Sequence, residues 1–292
     1  MIKLIVCDLD GTLLNRYQQI SPLSAKAIHE CADHGIEFMM ATGRDYNMVV
    51  DYLKQWDLKC DLILNNGAQY LSSDFTDQRY FPMDNDKAKE VVAILKEYDF
   101  HISMHTTKGK YIFEDYDAYY DHHFNRVQAM TQGEDFEKFM QSAFFRKDGY
   151  LRDTHRIDTL EEMFEQRAKL LKIDADCDDP QKGEEANNAL KALDHILLST
   201  SYAQYVEICS DQSHKGALLQ TICEEKGYKN EEVCVFGDST NDIQMLSLFK
   251  NSFVPSNGHE ACKKVGRYLI GDHHDDSVAK TIFEIIKANE KE

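Results

Sequence analysis

Short apolar runs that stop abruptly at polar residues recur along the chain. Residues 2–7 (Ile-Lys-Leu-Ile-Val-Cys) read as a buried strand of the parallel-sheet kind, followed at once by Asp8-Leu9-Asp10-Gly11-Thr12. Ser21-Pro22 then offers an N-cap and a first-turn proline, Ala25, Ile28 and Ala32 mark one helix face, and Gly35 closes the helix. A second buried strand over 36–41 ends at Thr42-Gly43-Arg44. The helix after it carries the stripe Met48, Val49, Tyr52 and Leu53, and Leu62-Ile63-Leu64 forms a third strand ending at Asn65-Asn66-Gly67. Strands and helices alternating over short links predict a parallel α/β sheet with right-handed crossovers.

From Phe81-Pro82 the rhythm changes. Predicted helices over 84–98, 117–130 and 158–167 mix with period-two stretches near 101–105 and 111–114 and a strand at Leu170-Leu171-Lys172-Ile173. Residues 176–185 read as a polar, acidic turn leading into a helix that ends near Leu193, and strands near 195–200 and 204–209 follow. The pattern predicts a separate α+β unit inserted over 83–202, between flanking pieces 1–82 and 203–292 of the parallel-sheet unit. The βα rhythm returns with a helix from Ser213 to Gly227, carrying Ala217, Leu218, Thr221 and Ile222 on one face. A strand over 233–237 then ends at Asp238, and Ser239-Thr240-Asn241-Asp242 lead into a helix through Met245, Leu246 and Leu248. A last helix spans 276–287.

Composition narrows the function classes. With 42% hydrophobic and 29% charged residues over 292 positions, the chain reads as a soluble protein of one large or two moderate domains. No apolar run approaches the roughly 18–20 residues of a membrane span, and the first residues lack the pattern of a signal peptide. The formal charge of −18, from 33 basic and 51 acidic residues, argues against nucleic-acid binding and means that an anionic substrate must be drawn in by local positive charge or a metal. Eight cysteines scattered without CxxC pairs suit a reducing compartment, so a cytoplasmic location is expected. The pairs His122-His123 and His273-His274 have no zinc spacing with cysteine and, like His101 and His105, read as surface histidines.

The polar strand ends carry the chemistry. In an extended chain Asp8 and Asp10 point to the same side. Two acids at the C-terminal end of a buried strand cost stability unless compensated, and that edge is where open α/β sheets bind ligands. That stretch alone leaves two readings open, a solvated turn or a cation site. Thr42-Gly43, Asn66-Gly67, and Asp238 with Asp242 end three further strands, and in a parallel sheet all such ends open at one edge. Two carboxylates about 4 Å apart repel by roughly 4 kcal/mol at an effective dielectric of 20. A hard divalent cation relieves this, and an all-oxygen set fits Mg²⁺. Thr42 and the amides around Gly43, at a helix N-terminus, suit a phosphate, and Lys215 opens another helix and supplies a cation.

Taken in order, Asp8-Leu9-Asp10-Gly11-Thr12, Thr42-Gly43-Arg44, Lys215-Gly216 and Gly237-Asp238-Ser239-Thr240-Asn241-Asp242 resemble the four motifs of the haloacid dehalogenase-like phosphatases. An insertion between the second and third motifs, and Asn66-Gly67-Ala68, resemble the Cof-type subfamily. The resemblance implies a Rossmann-like parallel-sheet core with an inserted α+β cap that sets substrate specificity. It implies hydrolysis of phosphoric monoesters through an aspartyl-phosphate on Asp8, with Asp10 as acid and base. Mg²⁺ would sit among Asp8, Asp10 (through its backbone carbonyl), Asp238 and Asp242, the last as a further acid of the metal site. Leu9 through its amide, Thr42, Gly43, Lys215 and Asn241 would bind the phosphoryl oxygens. Ser277-Val278-Ala279 and Asn257-Gly258 depart from the family's usual Gly-Val-Ala and Asn-Ala, outside these residues. The expected substrate is a small phosphorylated metabolite, a sugar phosphate foremost, and the expected state a monomer or weak homodimer. A sugar phosphomutase and a catalytically idle phosphometabolite-binding protein are the alternatives.

Overall fold

A computed structural model describes residues 1–131, 134–142 and 145–291. Its strands, in chain order, are β1 (Leu4–Cys7), β2 (Glu37–Ala41), β3 (Asp61–Leu64), β4 (Gln69–Leu71), β5 (Gln78–Tyr80), β6 (His101–Thr106) and β7 (Gly109–Ile112). They continue with β8 (Thr154–Arg156), β9 (Leu170–Asp176), β10 (Ile196–Tyr202), β11 (Tyr205–Ser210), β12 (Val233–Phe236), β13 (Asn251–Pro255) and β14 (Tyr268–Ile270). The chain divides into two compact units, Met1–Arg79 with His214–Glu292, and Tyr80–Ser213.

The first unit is built on an eight-stranded sheet of order β14-β13-β12-β1-β2-β3-β4-β5. β1 lies parallel between β12 and β2, with Cys7 level with Phe236 on one side and Met40 on the other, and β3 lies parallel to β2. All four residues of β1, β3 and β12 are buried, which explains their unbroken apolar runs. Local signals set the helices between them. Ser21 accepts the Ser24 amide and Pro22 takes the first turn of the helix Pro22–Asp33; Asp45 accepts the Met48 amide to start the helix Tyr46–Trp56. Leu13, Ile28, Met40, Val49, Phe236, Ile282 and their neighbours fill one core, with the helix Ser277–Asn289 packed against the helix Pro22–Asp33. Beyond β3 the chain reverses through Asn65-Asn66-Gly67, all three at positive φ, and β4 returns antiparallel. Gly67 is required there: at φ +98° its hydrogen stands where a Cβ would lie 2.5 Å from the His214 carbonyl carbon.

The second unit holds a six-stranded sheet of order β10-β11-β9-β6-β7-β8, antiparallel apart from the β7–β8 pair. Ile102 and Met104 of β6 and Ile173 and Ala175 of β9 share a face with Val91 and Leu95 of the helix Asn85–Glu97 and with Ala186 and Leu190 of the helix Pro180–Lys191. The sequence reading ends the insertion at residue 202; by contacts this unit runs to Ser213, because β11 pairs with β9. The helix predicted to follow an acidic turn over 176–185 starts earlier, at Pro180, with the Asp179 carboxylate accepting the Gln181 amide.

The histidine expectation also needs correction. His105 and His123 are buried at 4% and 3% exposure, His105 in hydrogen-bond contact with Asp174 at 2.9 Å and His123 stacked on Tyr150. Their strand and helix meet through the sheet's second face, whose polar alternation mimics a solvated surface. No helix among the described residues is long and apolar enough to cross a membrane. The eight cysteines are free and buried.

Candidate active site

Parallel pairing in register brings the C-terminal ends of β1, β2, β3 and β12 to one edge of the first unit's sheet, so Asp8, Thr42, Asn65-Asn66 and Asp238 gather there. The strand does not continue extended through Asp10, as the sequence reading supposed. It ends at Cys7, and Leu9–Leu13 form a wide turn in which the Leu14 amide donates to the Leu9 carbonyl at 2.9 Å. Gly11 makes the turn possible: its φ is +75°, and a Cβ there would stand 2.3 Å from Asp238 Oδ2.

Inside the turn lies a buried charge cluster. Lys215 Nζ donates to Asp8 Oδ1 at 2.7 Å and to Asp242 Oδ1 at 2.8 Å, with Lys215 1% and Asp8 4% exposed. Asp242 Oδ2 accepts the backbone amides of Asp238 and Ser239, each at 3.1 Å, so both of its oxygens are engaged. Thr12 Oγ1 donates to Asp238 Oδ1 at 2.8 Å. Asp8, Asp238 and Asp242 each place an oxygen within 4.8 Å of the others. Asp8 Oδ2 and Asp238 Oδ2 have no hydrogen-bond partner among the described residues.

Burial, then the Asp242 charge, push the Asp8 carboxyl well above its ordinary range, with Lys215 pulling the other way. The same two causes push Asp238 up to about 7 against the Thr12 hydrogen bond. Burial opposes the Lys215 charge, but Asp242 and Asp8 outweigh it and hold the ammonium above its ordinary range. Three carboxylates against one ammonium leave a surplus of negative charge, and the unengaged oxygens of Asp8 and Asp238 are hard donors. A divalent cation fits this set.

The second strand end is shaped by backbone bonds. The Thr42 amide donates to the Ile63 carbonyl, the Asn66 amide to the Thr42 carbonyl at 3.1 Å, and the Arg44 amide to Thr42 Oγ1 at 3.2 Å. Asn241 Nδ2 donates to Asn66 Oδ1 at 2.9 Å, linking this end to the turn after β12. Gly43 leaves the room Asn66 needs, since a Cβ at 43 would lie 2.8 Å from its Oδ1. Arg44, 5% exposed, forks onto both oxygens of Asp10 at 2.8 and 2.6 Å and also reaches Gln18 Oε1 and the Tyr52 hydroxyl. The Asp10 side chain is 47% exposed.

Residues 5–282 match the family model of the haloacid dehalogenase-like hydrolases. The chain belongs to that family. Among its curated relatives, the 5-amino-6-(5-phospho-D-ribitylamino)uracil phosphatase YwtE of Bacillus subtilis is 23% identical over 290 residues, covering 98% of each chain. The pyridoxal phosphate phosphatase YbhA of Escherichia coli is 26% identical over 286 residues, covering 96% of this chain and 97% of its own. A solved haloacid dehalogenase-like hydrolase from B. subtilis superposes with a TM-score of 0.84 at 23% identity, over 96% of this chain and 99% of that one. Membership makes the chain a hydrolase, and the curated relatives are phosphatases by name.

Of the residues singled out in the sequence, this hydrolase fold joins Asp8, Lys215, Asp238 and Asp242 by contact and sets Thr42, Gly43 and Asn241 around Asn66. The Asp10 carboxylate is not in the acid cluster; the nearly buried guanidinium of Arg44 holds it. Thr12, which ties down one oxygen of Asp238, was missed, although a hydroxyl closing the first motif was a signal.

Proposed function

We propose that this hydrolase is a Mg²⁺-dependent phosphatase that cleaves small phosphorylated metabolites, sugar phosphates foremost, through an aspartyl-phosphate on Asp8. The observation that carries the reading is the state of Asp8: a buried carboxylate with one oxygen fixed by Lys215 at 2.7 Å and the other without a partner among the described residues. A carboxylate needs no base to act as a nucleophile, but it needs its charge offset to approach an anion. Lys215 supplies part of that offset. Mg²⁺, held by Asp8 and Asp238, would supply the rest when bound and draw charge from the phosphoryl oxygens.

Asp8 forms a bond to phosphorus as the bond from phosphorus to the leaving alcohol breaks, and Asp10 gives its proton to the departing oxygen. Asp10 then takes a proton from the water whose oxygen attacks phosphorus; inorganic phosphate leaves and the Asp8 carboxylate is restored. Half exposed, Asp10 reaches the reacting oxygens by rotating off the Arg44 fork. Asp242 acts through others, aiming Lys215 at Asp8 and fixing the amides of Asp238 and Ser239. Thr42, Gly43, Asn241 and the Leu9 amide bind the phosphoryl oxygens and hold phosphorus in line. Residues 80–213 act as the cap that sets the leaving group. The names of the curated relatives, phosphatases of a phosphoribitylamino-uracil and of pyridoxal phosphate, support a small phosphorylated metabolite.

The test is phosphate release across a panel of phosphorylated metabolites with Mg²⁺, using Asp8→Asn as control. Net release that falls by at least about a thousandfold in the variant is expected. Isomerisation of a hexose phosphate without net release would favour a mutase, and unchanged turnover in Asp8→Asn would refute the nucleophile.

A further inference from the structure

The second unit carries a group of metal-type donors unrelated to the acid cluster. His101 on β6, His122 on the helix Tyr116–Met130 and Asp178 in the turn after β9 each place one donor atom within 4.8 Å of the others. Both histidines are partly buried and Asp178 is exposed. His101 Nδ1 meets Glu114 Oε1 at 3.1 Å, and His122 Nε2 meets Asp176 Oδ2 at 2.6 Å. A carboxylate on one ring nitrogen fixes the tautomer and leaves the opposite nitrogen with its lone pair, which is the support metal-bound histidines require. His101 Nε2 and His122 Nδ1 are those opposite nitrogens.

Charge points the same way. Glu114, Asp176 and Asp178 surround the two rings, and Arg126, 2.9 Å from Asp176, is the guanidinium beside them. The group sets three carboxylates against one guanidinium, a surplus of negative charge that a divalent cation offsets. The two rings stack with centroids 3.7 Å apart, so their edges lie side by side. The group also borders a cavity of about 700 Å³ lined in part by His122, Arg126, Asp176 and Asp178, which gives an ion and its water a route in.

We propose that His101, His122 and Asp178 bind a divalent cation of the zinc type in the second unit. Two imidazoles and a carboxylate suit Zn²⁺ rather than Mg²⁺, with a fourth position left for water. Bonds of about 2.0–2.1 Å hold tetrahedral donor atoms about 3.3 Å apart, so binding fans the stacked rings open and draws Asp178 inward. The ion would tie β6, the helix Tyr116–Met130 and the turn after β9 together, three elements distant in sequence.

The experiment uses the full chain saturated with Mg²⁺ and titrated with Zn²⁺ alone, then with Co²⁺ as a spectroscopic substitute. The wild type is expected to take up one more equivalent of Zn²⁺ than Asp178→Asn, whose exposed turn position leaves folding untouched. Bound Co²⁺ is expected to show the intense visible bands of a four-coordinate nitrogen-donor site, lost in His101→Gln. Glu114→Gln, which removes the charge behind His101, should keep the site and weaken it by about 10–100-fold. Equal zinc stoichiometry in the wild type and Asp178→Asn overturns the proposal, as does a Co²⁺ spectrum that His101→Gln leaves unchanged. If His101→Gln fails to fold, the Asp178→Asn stoichiometry decides.

Discussion

Lys215→Met removes the one ammonium placed between Asp8 and Asp242 while keeping most of the side chain's bulk. The two contacts, at 2.7 and 2.8 Å, are each worth about 6 kcal/mol of attraction at an effective dielectric of 20, before the cost of taking three charges out of water. Removing one partner leaves the others buried and unpaired, for which about 3–5 kcal/mol is typical. The repulsion now exposed agrees in scale: carboxylates within 4.8 Å repel by about 3.5 kcal/mol under the same dielectric. Lysine's raised pKa in the fold means its contribution is fully present below the unfolded value of about 10.4 and is lost only as pH rises through the folded value. At pH 7.5 it is therefore complete.

The assay is urea unfolding at pH 7.5 without divalent metal, read by the fluorescence of Trp56. As the chain's single tryptophan, packed against the core of the first unit, it reports that unit alone. The expected loss is about 3–5 kcal/mol. Asp242→Asn should then cost less in the Lys215→Met background than in the wild type, because neutralising one stranded carboxylate relieves the other; a coupling of about 1–3 kcal/mol is expected. A loss under about 1 kcal/mol, or strict additivity of the two substitutions, would refute a buried ion triad.

Two further perturbations probe the same unit. Gly11→Ala forces a Cβ to within 2.3 Å of Asp238 Oδ2 at φ +75°, so the Mg²⁺ concentration for half-maximal phosphate release should rise at least about tenfold, measured by magnesium titration of activity. Asp61 is held below the ordinary carboxylate range: burial pushes it up, but Lys226, Tyr70 and the Ser73 amide outweigh that. A depressed carboxyl contributes stability that is complete above its unfolded pKa of about 3.9 and is lost as pH falls through the folded value. The Trp56-reported stability of Asp61→Asn should therefore fall short of the wild type at pH 7, and the gap should narrow below about pH 4.

What could be read from the sequence followed the strength of the local signal. β1, β2 and β12 are short apolar runs because they are buried on both faces, and parallel pairing in register carries their polar successors to one edge without further information. Three-residue strands such as β4, β5 and β8 are too short to show a period. In the helix Pro180–Lys191 only Gly183, Ala186, Asn187 and Leu190 face inward, so the acids around it masked the start signal of Asp179-Pro180. The polar face of β6 and β9 misled for a different reason. Ser103, His105, Lys172 and Asp174 alternate like a solvated surface, yet residues of the helix Tyr116–Met130 meet that face: Tyr119 bonds Ser103, and His122 and Arg126 bond Asp176. Whether a polar face is wet depends on an element elsewhere in the chain, and no local pattern records it.

Asp8 and Asp10 concentrate that lesson. They are the same residue type two positions apart, and alternation along a strand would give them one environment. The strand stops at Cys7, before either acid, and Gly11 at positive φ turns the chain directly after Asp10. Asp8 consequently stays at the buried edge with Lys215, a residue 207 positions away, while Asp10 swings half into solvent onto Arg44, 34 positions away. Nucleophile and proton carrier call for those opposite settings: a fixed, desolvated carboxylate to attack, and a mobile, solvent-accessible one to load and unload a proton. One glycine dihedral separates the two proposed roles.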